Sequence, residues 1–272
     1  MPTGRYELAT GVINGILYAV GGNGGGLSAN EAYNPATDTW TTKAPLPTAR
    51  QALAAGIIHG VLYAVGGYSS SCDPCSTVEA YDPASDSWST KAPMPTARWG
   101  LAAGVVNGKL YAIGGFDAIN NSILNTVEAY DPSTDTWTTK ASMPTARYLL
   151  AAGVVNGILY AVGGSGENCI YCNVVEAYDS ATNSWTTKSP MPAMRDDLAV
   201  GVVRGRLYAI DGRDQFGPMR RNEAYDPATD TWTNKTKDLT GRSGPAAGVV
   251  NGVIYVVGGF KGGYQTTEAF TP

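Results

Sequence analysis

The chain is written in one unit repeated six times. The Gly-Gly pair that ends Leu-Tyr-Ala-Val-Gly-Gly stands at 21–22, 66–67, 114–115 and 163–164, returns as Asp211-Gly212, and stands again at 258–259. Successive spacings are 45, 48, 49, 48 and 47 residues. A period of this length implies a series of supersecondary units, each burying its apolar faces against its neighbours.

The third unit shows the internal grammar. Trp99–Val106 alternates small and branched residues, as a half-buried strand does, and Asn107-Gly108 supplies the left-handed dihedrals of a two-residue hairpin. Lys109–Ile113 returns as a nearly continuous apolar strand suited to burial on both faces. A variable loop follows, then a third strand over Thr126–Tyr130. Asp131 to Asp135 forms a turn whose carboxylates can bond nearby amides. Thr136–Lys140 is the outer strand, and the lysines recurring there (Lys43, Lys91, Lys140, Lys188, Lys235) discourage edge-to-edge aggregation. A content of 34 glycines and 16 prolines suits many short strands and tight turns.

Four strands in 45–50 residues, a Gly-Gly pair, a spaced Tyr and Trp, and an Arg opening the next unit together resemble Kelch repeats. The resemblance implies an all-β fold, a six-bladed β-propeller with four-stranded antiparallel blades, over one domain spanning 1–272. The repeats fall at about 1–47, 48–95, 96–144, 145–192, 193–239 and 240–272. Strands then run from a central channel outwards. The loop before the first strand and the loop between second and third strands open on one face, the family's usual ligand side.

The chain begins at a first strand (Arg5) and ends after a third (Thr266–Phe270), so the sixth unit lacks an outer strand and the Trp that five units carry (Trp40, Trp88, Trp137, Trp185, Trp232). Either the ring closes by blade packing alone, or the chain is a piece of something longer. The match of Met1-Pro2-Thr3 to the Met-Pro-Thr ending earlier repeats favours the second. Thr266–Phe270 is an edge open to pairing.

Residues shared by every unit belong most simply to the scaffold. The six motif arginines (Arg5, Arg50, Arg98, Arg147, Arg195, Arg242) match six third-strand glutamates (Glu31, Glu79, Glu128, Glu176, Glu223, Glu268), which predicts one internal pair per blade rather than a cationic ring for a ligand. The motif tyrosines and tryptophans read as blade-to-blade packing. Nine aromatics remain: Tyr6, Tyr68, Trp99, Phe116, Tyr148, Tyr171, Phe216, Phe260 and Tyr264. All follow the motif Arg, follow Gly-Gly, or lie along the variable loop, and so share one expected face. Such a cluster suggests a recognition surface.

Kelch domains that bind peptides contact them largely through the residue after the motif Arg and the residue after Gly-Gly. By that resemblance the first set is Tyr6, Gln51, Trp99, Tyr148, Asp196 and Ser243, and the second Asn23, Tyr68, Phe116, Ser165, Arg213 and Phe260. Tyr68, Trp99, Phe116 and Tyr148 mark the expected centre of a site. The fifth unit holds every arginine outside the motif (Arg204, Arg206, Arg213, Arg220, Arg221) and replaces a glycine by Asp211. Arg204 and Arg206 flank a hairpin turn on the opposite face. Asp196, Asp211, Arg213, Asp214 and Arg220 are expected to converge on the ligand face, either for a polar ligand or as a self-satisfied ion network.

The four cysteines form two CxxC pairs, Cys72–Cys75 and Cys169–Cys172, in the same loop register of blades two and four. A local disulfide in each is the favoured reading, and would imply an oxidising, extracytoplasmic setting. A shared zinc would require loops of non-neighbouring blades to meet, and free thiols are the third alternative. The only histidine, His59, replaces the turn Asn, which leaves neither a Ser-His-Asp triad nor the two histidines of a copper-radical oxidase. The DPxTDTW strings lack the ligand set of an EF-hand. No cofactor and no metal are expected. A net charge of −4 argues against a nucleic-acid partner, and no apolar run reaches the roughly 18 residues of a membrane helix.

The function expected is non-catalytic recognition of a protein, peptide or glycan through the loops at the channel mouth. Two alternatives stand beside it: a sugar-directed isomerase or epimerase, with Asp196 or Asp211 as acid or base beside Arg213, and a purely structural repeat scaffold.

Overall fold

Each repeat folds into one antiparallel sheet because its turn residues take the backbone the spacing demands. In a computed structural model, which describes residues 1–24, 27–236, 240–261 and 264–272, the residue before the hairpin glycine has φ near +50° in every unit: Asn14, His59, Asn107, Asn156, Arg204 and Asn251. The undescribed stretch 237–239 includes the end of the fifth repeat, so the boundary at 239/240 lies beside residues that are not described. Blades one to five are four-stranded and blade six has three strands, in a ring of six. In blade three the strands, from the channel outwards, are Ala102–Val106, Lys109–Ile113, Val127–Asp131 and Thr136–Lys140.

The innermost strand begins at Ala102, three residues later than the alternation suggests. Gly100 takes φ +61 and breaks the pleat, so Trp99 pairs alone across to Phe116. The third strand runs one residue later than expected, to Asp131, and blade six ends on Thr267–Phe270. Two-residue hairpins, Phe116–Asp117 with Ser122–Ile123 and Arg213–Asp214 with Gly217–Pro218, extend the variable loops of blades three and five.

Blades approach closely because the inner strands carry glycine where the next blade presses. A Cβ on Gly104 would stand 2.4 Å from Leu159 Cδ1 of blade four. Aromatic pairs seal every junction: the second-strand Tyr of each blade meets the third-strand ring of the next, as in Tyr18–Tyr81 (5.7 Å) and Tyr63–Tyr130 (5.7 Å). The same contact closes the ring, with Tyr255 of blade six 5.6 Å from Tyr33 of blade one.

All six motif arginines are fully buried and each pairs with the glutamate of its own unit. Arg147 is representative: Nη2 donates to Glu176 Oε2 at 2.7 Å, while Nη1 donates to the carbonyls of Gly163 (2.7 Å) and Val174 (3.0 Å). The cation thus holds the Gly-Gly turn against the third strand. Burial lowers its affinity for the proton, to about 10 in Arg5, which still leaves the group charged at neutral pH. A threonine two residues before the Arg donates to the other glutamate oxygen in five blades (Thr3, Thr48, Thr96, Thr145, Thr240). In blade five Ala193 stands there, and Arg221 reaches the same Glu223 oxygen at 3.3 Å.

Blade six packs on blade one, and the first residues of the chain lie across the seam. The Met1 ammonium donates to Gln265 O at 2.7 Å, and Arg5 N donates to Tyr264 O at 2.9 Å. Linkers between blades make the same pair of bonds, Met94 N to Ser76 O (2.8 Å) and Arg98 N to Cys75 O (3.2 Å). Residues 1–5 therefore lie on blade six as a linker does, and the strand Ala246–Val250 packs against Ala9–Ile13.

Replacing Arg98 by Met keeps most of the volume but leaves the buried Glu128 with the Thr96 hydroxyl and no cation, and takes a donor from the carbonyls of Gly114 and Thr126. The expected loss is about 3–5 kcal/mol, read as a lower urea midpoint at unchanged m-value.

Candidate functional site at the channel mouth

Each blade raises two residues to the mouth as a cross-strand pair. The residue after the motif Arg bridges to the residue after Gly-Gly: Tyr6 with Asn23, Gln51 with Tyr68, Trp99 with Phe116, Tyr148 with Ser165, Asp196 with Arg213, and Ser243 with Phe260. The two predicted sets are thus one ring of six pairs, and this rim is uneven. Trp99 lies 5.4 Å from Tyr68, 5.2 Å from Phe116 and 5.5 Å from Tyr148, an unbroken aromatic arc over blades two to four. A second arc joins Tyr6, Phe260 and Tyr264 over blades six and one. Between them, in blade five, Arg213 Nε donates to Asp196 Oδ1 at 2.8 Å.

One residue deeper, the chain forms a floor. Glu7, Ala52, Gly100, Leu149, Asp197 and Gly244 all take φ between +50° and +62°. Their backbones close a circle of hydrogen bonds: Ala52 N donates to Glu7 O, Gly100 N to Ala52 O, Leu149 N to Gly100 O, Asp197 N to Leu149 O, Gly244 N to Asp197 O, and Glu7 N to Gly244 O, all at 2.7–2.9 Å. These six residues and the ring beneath them, Leu8, Leu53, Leu101, Leu150, Leu198 and Pro245, line a cavity of about 100 Å³. The side chains of the floor divide into an apolar half and an acidic one. Blades two to four contribute Ala52, Gly100 and Leu149, while blades one and five contribute the carboxylates Glu7 and Asp197 with Gly244 between. A Cβ on Gly244 would stand 3.2 Å from Asp197 Oδ2, so glycine keeps this side open.

The confined floor disfavours charge. Burial, reinforced by the negative charge of Glu7 and opposed by Arg213, pushes the Asp197 carboxyl up to about 8. Burial raises Glu7 as well, against the pull of Arg213. Asp196 is raised by burial and drawn back by its bond to Arg213. Tyr6 above them is raised by burial and then by Glu7.

Other predicted residues fall elsewhere. Asp211 does not join the ligand face. It is wholly buried at the junction of blades five and six, in left-handed backbone (φ 52) and 3.6 Å from Arg242 Nε, because the glycine it replaces faces the next blade's arginine. It has no access to act as an acid or base on a ligand, and Asp196 is 2% exposed beneath Arg213. Asp214 caps its own hairpin by accepting from Phe216 N. Tyr171 and Phe216 stand apart from both arcs, beside the exposed Ile170 and Met194 in a groove between the loops of blades four and five. Both cysteine pairs are disulfides within their loops, Cys72–Cys75 and Cys169–Cys172, rather than a metal site or free thiols. Among the described residues no cluster of His, Cys, Asp or Glu is arranged to hold a metal ion.

The sequence model of the Kelch motif matches residues 4–47 and 49–95, and that of the KLHDC2/KLHL20/DRC7 Kelch-repeats domain matches residues 89–259. The chain belongs to the Kelch-repeat family. Among solved structures, "Structure of YjhT" superposes with a TM-score of 0.87 at 18% identity, over 100% of this chain and 96% of that one. That likeness concerns the fold. No curated protein sequence matches the chain. In this Kelch propeller the site differs from the shared scaffold only at positions where the units disagree among themselves.

The raised Asp197 has a consequence for stability. Its ordinary value is 3.8 and its folded value about 8, so between these the native state holds a proton the unfolded chain has lost. Stability from this group is complete below pH 3.8 and declines as pH rises towards 8. Asp197→Asn, a residue at ease in left-handed backbone, is expected to flatten the fall in urea midpoint between pH 4 and 8.

Proposed function

We propose that this Kelch propeller is a recognition module whose ligand is a peptide segment presenting a basic side chain to the channel mouth. One observation carries the reading: beneath the aromatic arcs of the rim, the floor is apolar over blades two to four and carries the carboxylates Glu7 and Asp197 over blades one and five. Aromatic faces and carboxylates both attract a cation, and the attraction grows when water is displaced. The floor cavity of about 100 Å³ has room for about three waters at ~30 Å³ each, which suits a single ammonium or guanidinium head. The aliphatic stem and neighbouring residues would lie against Trp99 and its companions. A cation on the floor would also favour ionised Asp197, so binding would expel a proton near neutral pH.

The test is titration calorimetry with a lysine- or arginine-bearing peptide selected from an array, against the same peptide carrying norleucine or citrulline. Wild-type protein should prefer the basic form, increasingly so from pH 6 to 9. Asp197→Asn should lose that pH dependence, and Trp99→Ala with Tyr148→Ala should weaken binding tenfold or more, about 1.4 kcal/mol. Equal affinity for charged and neutral forms would sink the reading.

A second reading has its own observation. A carboxyl held near 8 beside a second carboxyl can both give and take a proton at neutral pH, which a sugar-directed isomerase or epimerase would need. In that case Asp197 and Glu7, rather than Asp196 or Asp211, would carry the chemistry. Proton exchange or anomer interconversion in free sugars, abolished in Asp197→Asn with the fold intact, would select it.

A further inference from the structure

The two aromatic arcs of the mouth overlie different halves of its floor. The arc around Trp99 belongs to blades two to four, whose floor residues are Ala52, Gly100 and Leu149. Tyr6, Phe260 and Tyr264 belong instead to blades one and six, whose floor residues are Glu7 and Gly244. Asp197 reaches into the same sector: a Cβ on Gly244 would lie 3.2 and 3.3 Å from its two carboxylate oxygens. Burial, and then Glu7, Tyr264 and Asp197, raise the Tyr6 hydroxyl, so both carboxyls act on this ring.

The three rings meet at angles rather than as a flat stack. Tyr6 and Phe260 have centroids 5.6 Å apart and planes at 61°, Phe260 and Tyr264 6.0 Å and 69°, and Tyr6 and Tyr264 5.9 Å and 43°. Each is fixed by a hydrogen bond. Asn23 Nδ2 donates to the Tyr6 hydroxyl oxygen at 2.7 Å, Phe260 N donates to Ser243 O at 2.8 Å, and Arg5 N donates to Tyr264 O at 2.9 Å. Phe260 and Tyr264 are 37% and 40% exposed, so the cluster stays open to a ligand.

This sector is poor in acceptors for a cation that carries protons. A primary ammonium brings three N–H donors, and each one left unanswered in a confined site costs its full desolvation. The floor amides and carbonyls already bond to one another around the circle, and the ring beneath is leucine and proline. Asp196 is committed to Arg213, and Asp197, pushed up to about 8, holds a proton at neutral pH. A quaternary ammonium has the charge without the donors, and aromatic faces are its usual partners. Size agrees as well. Benzene fills a cavity of ~150 Å³, or ~25 Å³ per heavy atom, so a nitrogen with its three methyl groups needs ~100 Å³, against a floor cavity of about 100 Å³. We infer that Tyr6, Phe260 and Tyr264, with Glu7 and Asp197 beneath them, form a cage for a quaternary ammonium group, borne by a trimethylated lysine or by a free choline-like amine. The inference rests on the reading of the mouth as a site for a cation and narrows it to one that donates no hydrogen bond.

Chemical-shift titration of the full chain tests this with the N-acetyl amides of trimethyl-lysine, lysine and norleucine. Choline and its neutral carbon counterpart, in which a tert-butyl group replaces the trimethylammonium, complete the set. Trimethyl-lysine is expected to bind at least tenfold more tightly than lysine, and choline more tightly than the neutral counterpart. Phe260→Leu and Tyr264→Leu, both at partly exposed positions, should each weaken trimethyl-lysine about fivefold, whereas Phe216→Leu, outside both arcs, should not. Trimethyl-lysine tighter than choline supports a modified side chain as the source, and the reverse order supports a free amine. Lysine bound as tightly as trimethyl-lysine, and more tightly than norleucine, overturns the inference and leaves the broader reading of a basic ligand standing. Equal binding of choline and its neutral counterpart, or no saturable response to any of the cations, overturns both. Indifference to Phe260→Leu and Tyr264→Leu together removes the cage from this arc.

Discussion

A guanidinium shut away from water must find acceptors on several sides, and in this protein one arrangement supplies them six times. The arginine takes a carboxylate from the third strand in every blade and carbonyls from the Gly-Gly turn or the strand before it, and Arg5 uses all three, Glu31, Gly21 and Ala19. Breaking any of these would leave buried polar groups unanswered, at a cost far above the net value of the pair itself. The consequence is positional. The arginine backbone sits at the head of its blade, bonded to the loop of the blade before, so the two residues that follow it emerge at a fixed height above the channel.

Those two residues make the site. The first joins the rim through a single cross-strand pairing; the second enters the circle of amide bonds that floors the mouth. Because each floor residue is left-handed and its amide and carbonyl are both used in the circle, its side chain alone distinguishes one blade from another. Six equivalent positions then hold Glu, Ala, Gly, Leu, Asp and Gly. A scaffold built by repetition thereby becomes a directional site, with acid on one side and apolar surface on the other. The raised carboxyls follow from the same confinement, since a narrow floor over a leucine ring offers little water to an anion.

Much of this was legible in the sequence. The period, the Asn-Gly turns and the Arg–Glu count lead to the blades and their internal ion pairs, and the leftover aromatics lead to the arc around Trp99. Blade five departs from its sequence pattern. Asp211 looked like a rim residue because it follows the second strand, yet its Cβ points at the neighbouring blade's arginine, a direction set by left-handed backbone. Glu7 and Asp197 lie outside the two sets that the resemblance marks, although the sequence holds a signal for them: the second residue after the motif Arg varies between units while the Leu after it recurs in five of six.

The sequence by itself determined the repeat, its strands, the chemistry of each junction and the face on which variation gathers, because those depend on contacts within one unit or between identical neighbours. Only the tertiary structure decided what variation adds up to. Whether Glu7 and Asp197, 190 residues apart, share one floor depends on how six blades close into a circle, which no single repeat encodes. The same is true of the ring's seam, where residues 1–5 lie on blade six as a linker between blades does.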